Sequence, residues 1–222
     1  IGRLSMGVGT VTGPYNTAIG RLSMQDLTSG TKNQAFGASA GEAITTGDNN
    51  IAIGTDALFT VTTTDSNIAI GNEALRVTTG SSNTAISGGA LNKNTTGDFN
   101  VAVGTNSLRL TTTGADNTAV GFESLRNNTT GFYNTAIGYT ALYSNTTASY
   151  NTAVGYQAGY ATNTGQGVTL VGYKAGFANT ANDTTAFGAD ALTANTSGIQ
   201  NTGLGKAALL NNTTGSYNTA VG

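Results

Sequence analysis

One unit of about 17 residues, N-T-A-[IV]-G-x-x-A-L-x-x-N-T-T-G-x-Y, runs through this chain about thirteen times and limits the fold more than any other feature. Its first position falls at Asn16, Asn33, Asn50, Asn67, Asn83, Asn100, Asn117, Asn134, Asn151, Val168, Thr184, Asn201 and Asn218. The spacing is 17 throughout, except for 16 at Asn67→Asn83 and at Val168→Thr184. A partial unit precedes them, Ile1 to Met6 echoing Ile19 to Met24 at a spacing of 18. The fourth position is always apolar, the third is Ala in all but two units, and the fifth is Gly in all but one (Ser87). The ninth is usually Leu, replaced by Gly at Gly41, Gly159 and Gly176. A flexible linker has no reason to keep such a pattern.

A 17-residue unit is too short for the helix pairs of helical repeats, which need about 33 residues or more. It suits one coil of an all-β, parallel β-solenoid of about 13 coils, with two strands of about five residues and two turns per coil. Composition agrees. Charged residues are only 9% and the net charge is −2, while Thr, Val and Ile are plentiful, which favours strands over disorder. Coils about 4.8 Å apart would stack into an elongated rod ~60 Å long. The chain reads as one continuous array over residues 1–222, cut from a longer one, since it begins "IG" and ends "VG" within repeats.

Within N-T-A-I-G the residues alternate, Thr and Ile/Val on one face, Asn, Ala and Gly on the other. The large face suits the coil interior, and the small face suits close approach of another backbone; which one points inward is left open by sequence. All length changes fall in the N-T-T-G-x-Y half, which is therefore read as the outward connection. Its glycines (Gly30, Gly47, Gly80, Gly97, Gly114, Gly131, Gly165, Gly198 and Gly215) are expected to supply positive φ. The asparagines at position one (Asn16, Asn33, Asn50, Asn67, Asn83, Asn100, Asn117, Asn134 and Asn151 among them) are read as a structural ladder, hydrogen-bonding from coil to coil.

The segments "NTAIGYTAL" and "NTAVGYQAG" resemble the head repeats of YadA-like trimeric autotransporter adhesins. "YNTAIGYTALYSNTTASYNTAVGYQAGYATN" is similar to repeat arrays of phage and bacterial tail-fibre-like proteins. The resemblance covers essentially the whole chain. It implies a left-handed parallel β-roll, three chains assembled into a fibre, and a surface-attachment role, outside the cell or on a virion. The adhesin unit is shorter than 17 residues, and Thr mostly replaces its first apolar residue. Trimerisation also has a physical argument: a narrow coil offers little apolar area, and packing Ala/Gly faces across a three-fold axis would add burial.

Chemistry-bearing residues are sparse. There is no Cys or His, which removes thiolate chemistry, disulfides and the commonest metal ligands, and no metal or cofactor is expected. Asp56, Glu73, Glu123 and Asp190 occur singly at the seventh position, with Arg76, Arg109 and Arg126 at the tenth; Glu73–Arg76 and Glu123–Arg126 are candidate surface pairs. No carboxylate dyad, phosphate-binding loop or calcium nonapeptide is present, so an enzyme reading has no residues behind it. Nine basic residues spread through an acidic-leaning chain disfavour nucleic acid. No apolar run reaches the ~18 residues that insert into a membrane, and no signal peptide stands at Ile1. N-x-T sequons (Asn94, Asn128, Asn145, Asn182, Asn195, Asn212) follow mostly from the N-T-T element itself.

One stretch stands apart. Between Arg126 and Lys174 no residue is charged, and aromatic residues cluster there. Phe122, Tyr139, Tyr156 and Tyr173 share the sixth position of four successive coils and are expected to form one ladder. It reads either as a platform for a glycan, a host surface or another fibre, or as a seam stabilising the stack or a trimer. The leading functional reading is a structural segment of an extracellular fibre or adhesin. The alternative is an ice-binding solenoid using Thr ladders, against which position two lapses to Gln34, Ile51, Ile68 and Val101.

Overall fold

A computed structural model describes residues 2, 5–7 and 10–222. The echo in Ile1 to Met6 falls partly outside them. Each repeat forms one coil with one three-residue strand: β1 (Thr17–Ile19), β2 (Gln34–Phe36), β3 (Ile51–Ile53), β4 (Ile68–Ile70), β5 (Thr84–Ile86), β6 (Val101–Val103), β7 (Thr118–Val120), β8 (Thr135–Ile137), β9 (Thr152–Val154), β10 (Thr169–Val171), β11 (Thr185–Phe187), β12 (Thr202–Leu204) and β13 (Thr219–Val221). The two five-residue strands expected per coil are thus one short strand, the remainder being turns. The chain divides into two compact units, Ile1–Gly114 with β1–β6 and Ala115–Gly222 with β7–β13. Each is a parallel β-solenoid in which every strand pairs in register with the next, repeat position on repeat position. The two 16-residue coils leave that register intact, as Ile68↔Thr84 and Thr169↔Thr185 show.

The turns are as firmly bonded as the strands. Leu142 N–H donates to Ala158 O (3.0 Å), Thr140 N–H to Phe122 O (2.9 Å), and Thr129 N–H to Thr146 O (2.8 Å). The N-T-T half also stacks coil on coil, so it is not a loose outer connection. What it tolerates is the loss of one residue from the turn: Thr78–Gly80 replaces the four-residue N-T-T-G, and the Thr78 hydroxyl accepts the Gly80 N–H at 2.8 Å.

The small face is the inner one. Ala at position three is buried in both units, joined by Ala at position eight and Leu at nine. Thr and Ile/Val at positions two and four face outward, with Ile137 39% and Phe187 58% exposed. Two expectations are therefore corrected. The large face does not fill the coil, and Ala is not available for packing between chains. The reason is width: the interior already holds an inward Leu, a second apolar or amide side chain at position twelve, and the position-one Asn, leaving room for only a methyl at position three.

Positive φ also falls elsewhere than expected. None of Gly30, Gly47, Gly80, Gly97, Gly131, Gly165, Gly198 or Gly215 adopts left-handed backbone. Besides the position-five residues, positive φ falls at positions seven, nine and seventeen, in side-chain-bearing residues such as Glu123 (φ 50°), Leu125 (52°) and Tyr133 (56°). A left-handed residue costs about 1–2 kcal/mol. Burying a whole Leu stabilises by about 1.5–3 kcal/mol, so the inward leucines at position nine offset their own strain. In Gly41, Gly159 and Gly176, the strain and the side chain disappear together. Larger neighbours occupy the vacated space. A Cβ on Gly159 would lie 2.8 Å from Leu170 Cδ1, one on Gly176 2.5 Å from Leu170 Cδ2, and one on Gly41 2.8 Å from Ile44 Cδ1. Leu170 stands where most coils carry Ala.

Position five favours glycine most strongly; Ser87 alone carries a side chain there, at φ 102°. Gly138 has φ +135°, and a Cβ there would sit 2.3 Å from the Gly155 carbonyl oxygen of the next coil. Gly138→Ala is expected to lower stability by about 2 kcal/mol or more, from left-handed strain and a backbone clash, read as a lower urea midpoint. Leu170→Ala should cost about 2–5 kcal/mol, because it opens a cavity over two glycines. Restoring the side chain with Leu170→Met should recover most of that loss in the same titration.

Candidate functional surfaces

Three kinds of ladder run along the coils, two inside and the rest outside. At position one, within each unit, the Asn Oδ1 accepts the backbone N–H of the equivalent residue in the next coil. Examples are Asn33 N to Asn16 Oδ1 (2.9 Å), Asn67 N to Asn50 Oδ1 (3.0 Å) and Asn151 N to Asn134 Oδ1 (3.0 Å). Its Nδ2 donates to the position-fifteen carbonyl: Asn83 to Gly97 (2.9 Å), Asn100 to Gly114 (2.9 Å), Asn117 to Gly131 (2.9 Å) and Asn134 to Ala148 (2.9 Å). Apart from Asn16, the asparagines of the expected ladder are buried. Both ends of the amide are thus committed to backbone groups that would otherwise be orphaned.

A second amide ladder was not anticipated. The Asn of N-T-T, at position twelve, points inward and donates to the same position-fifteen carbonyl: Asn94 to Gly97 (2.8 Å), Asn145 to Ala148 (3.1 Å), Asn195 to Gly198 (2.9 Å). Neighbours link through Asn145 Nδ2 to Asn128 Oδ1 (3.0 Å) and Asn195 Nδ2 to Asn179 Oδ1 (2.6 Å). The signal was legible: the same position holds Leu27, Ile44 and Val61 in the first coils, residues that belong inside. The sequons at Asn94, Asn128, Asn145 and Asn195 are consequently buried and engaged, so these four amide nitrogens are not exposed for glycosylation, whereas Asn182 is on the surface.

Outside, Thr at position thirteen donates its hydroxyl to the equivalent carbonyl one coil on, as in Thr28 to Thr45 (3.0 Å), Thr95 to Thr112 (2.8 Å) and Thr196 to Thr213 (3.0 Å). In the C-terminal unit, Phe122, Tyr139, Tyr156 and Tyr173 stack as one column, with centroids 5.2, 5.3 and 5.4 Å apart and planes within 13°. All four are 42–49% exposed. A second column, at position ten, went unrecognised in the sequence: Tyr143, Tyr160 and Phe177 stack at 5.2 Å with planes within 7°. Arg126 continues it, its guanidinium 5.8 Å from the Tyr143 ring centroid. Lys174 Nζ lies 5.4 Å from the Tyr173 centroid and 5.7 Å from that of Phe177, so the two columns flank the seventh-position side chains. A short third stack joins Tyr133 and Tyr150, with Phe132 edge-on to both.

Charge is locally managed. Glu123 Oε1 and Arg126 Nε pair at 3.3 Å. Glu73 and Arg76 do not pair: Arg76 lies over the Phe59 ring at 5.0 Å and Glu73 Oε2 accepts from Asn92 Nδ2 at 3.2 Å. Asp56 and Asp190 stand in different coils. Among the described residues there is no enclosed cavity and no group of three potential metal ligands. The candidate functional features are therefore open surfaces: the outward sheet face and the aromatic band.

The chain is a tandem-repeat parallel β-solenoid. No protein-family model, curated protein or solved structure matches it.

The Asn134 side chain makes three contacts: with Asn151 N–H, the Ala148 carbonyl and Asn117 Oδ1. Asn134→Ala is expected to destabilise by about 1–3 kcal/mol for each buried group it orphans, whereas Thr147→Ala, on the exposed turn, should stay within about 0.5 kcal/mol. Thermal melts followed by circular dichroism check the contrast.

Proposed function

We propose that this chain is a structural segment of an extracellular fibre or adhesin, in which copies associate through the outward face of the sheet and hold a surface-attachment element at a distance. The observation that carries the reading is the apolar column at position four in each unit. Ile19, Ile53, Ile137, Phe187, Leu204 and Val221 are among the chain's exposed large hydrophobic residues. A contiguous exposed apolar strip of this kind marks an interaction surface. A second copy carries the same column at the same strand spacing, so ridges of one fit grooves of the other at every coil. Three copies sharing such a face bury it on all sides, and the resemblance to trimeric adhesin and tail-fibre repeats supports that number.

The same face supports a second reading. In the C-terminal unit position two is Thr in all seven strands, from Thr118 to Thr219, and none of these hydroxyls has a protein hydrogen-bond partner. The lapses at Gln34, Ile51, Ile68 and Val101 all lie in the N-terminal unit. A column of outward Thr methyls and hydroxyls beside apolar side chains is a surface on which water can order, as in ice binding.

The two readings separate cleanly. The fibre reading expects sedimentation equilibrium to give three times the 22.2 kDa chain mass, and Ile137→Lys with Val154→Lys to return it to one. A monomer at all concentrations, combined with thermal hysteresis and shaped ice crystals, would replace the fibre reading with the second.

A further inference from the structure

We propose that the two aromatic columns of the C-terminal unit form a binding face for a linear, uncharged polysaccharide. The geometry rules out the simplest way in which tyrosines hold sugars. Interior rings of each column are covered on both faces by their neighbours at 5.2–5.4 Å, so no broad ring face is left for a pyranose to lie upon. What points outward is ring edge. The edge is the positive rim of the aromatic quadrupole, and it favours lone-pair oxygen over a cation.

Hydroxyls add to this. Tyr139, Tyr156 and Tyr173 place three phenol groups in line at the coil repeat, and Tyr160 adds one in the parallel column; none of the four has a protein hydrogen-bond partner. Gln157 stands between the columns by repeat equivalence with Lys174, its amide likewise free of protein partners. An oxygen-rich ligand satisfies such a surface, and a hydrocarbon one does not.

Two further observations select a polymer without charge. The band is open, with no cavity to enclose a small molecule, so affinity has to accumulate from repeated weak contacts. Ring centroids recur at 5.2–5.4 Å, a distance comparable to the advance of an extended equatorially linked pyranose chain per sugar, so successive sugars meet equivalent groups. Between Arg126 and Lys174 no residue carries charge. Arg126 is paired with Glu123, which leaves Lys174, against Tyr173 and Phe177, as a single unpaired cation at the end of the band, where an acidic polymer would need a row of them. The proposal concerns a different surface from the sheet face and does not depend on self-association.

Native affinity electrophoresis of the whole chain tests it, with hydroxyethyl cellulose and dextran as neutral polymers and alginate as an acidic one. Retardation by hydroxyethyl cellulose is expected, weakened at least about fivefold in the Tyr156→Ala/Tyr160→Ala double variant. The companion Tyr156→Phe/Tyr160→Phe variant keeps the stacks and should bind more weakly than wild type through loss of two hydroxyls. Circular dichroism confirms that each variant is folded, and sedimentation confirms that its mass is unchanged. No retardation by either neutral polymer, retardation by alginate alone, undiminished retardation of the folded double variant, or a change of mass in that variant would each overturn the proposal.

Discussion

Like sits on like throughout this molecule, and that constraint governs everything else. In each unit a parallel, in-register stack brings every repeat position against its own copy one strand spacing away. A side chain is tolerated only if it can neighbour itself. Asparagine can, because its amide is both donor and acceptor and closes a chain of hydrogen bonds with the backbone. Aromatic rings can, by offset stacking. Charged residues cannot without mutual repulsion, and the low charge of the chain, 9%, follows directly.

The second constraint is circumference. A coil of 16 or 17 residues has to close on itself around an interior barely wider than two side chains. Ordinary right-handed and extended conformations do not turn sharply enough, so positive φ occurs at four positions in nearly every coil: five, seven, nine and seventeen. Their strain is offset by what they position. Leu at nine is aimed inward by the geometry that strains it, and the amides at one and twelve meet on a single carbonyl, as Asn134 and Asn145 do on Ala148.

Much of this was legible in the sequence. The repeat length implied the solenoid, the recurrence of Asn implied the ladder at position one, and the common sixth position of Phe122, Tyr139, Tyr156 and Tyr173 implied their stack. Alternation along N-T-A-I-G separated two faces but did not say which was inner, because the usual rule that larger apolar groups go inside assumes a core with room for them. Here Leu75 and its equivalents had already taken that room. The position of left-handed backbone was hidden for a related reason. Glycine marks it only when no side chain is worth its strain, and Leu142, Glu123 and Tyr150 show otherwise. The column at position ten is harder to see, because Tyr143, Tyr160 and Phe177 occupy it in only three coils and lie among other aromatic residues of the same stretch.

Leu170 carries a consequence for how such a chain can change. It fills space left by Gly159 in its predecessor's coil and by Gly176 in its own, while Ile44 does the same for Gly41. These coils look like interchangeable copies and are not. A recombination event that moved the Gly159 coil without its successor would leave a void, and one that set Leu170 against a leucine-bearing coil would overfill it. The heritable module in this part of the chain is a pair of coils, so duplications and deletions spanning both should survive where those of one coil alone should not.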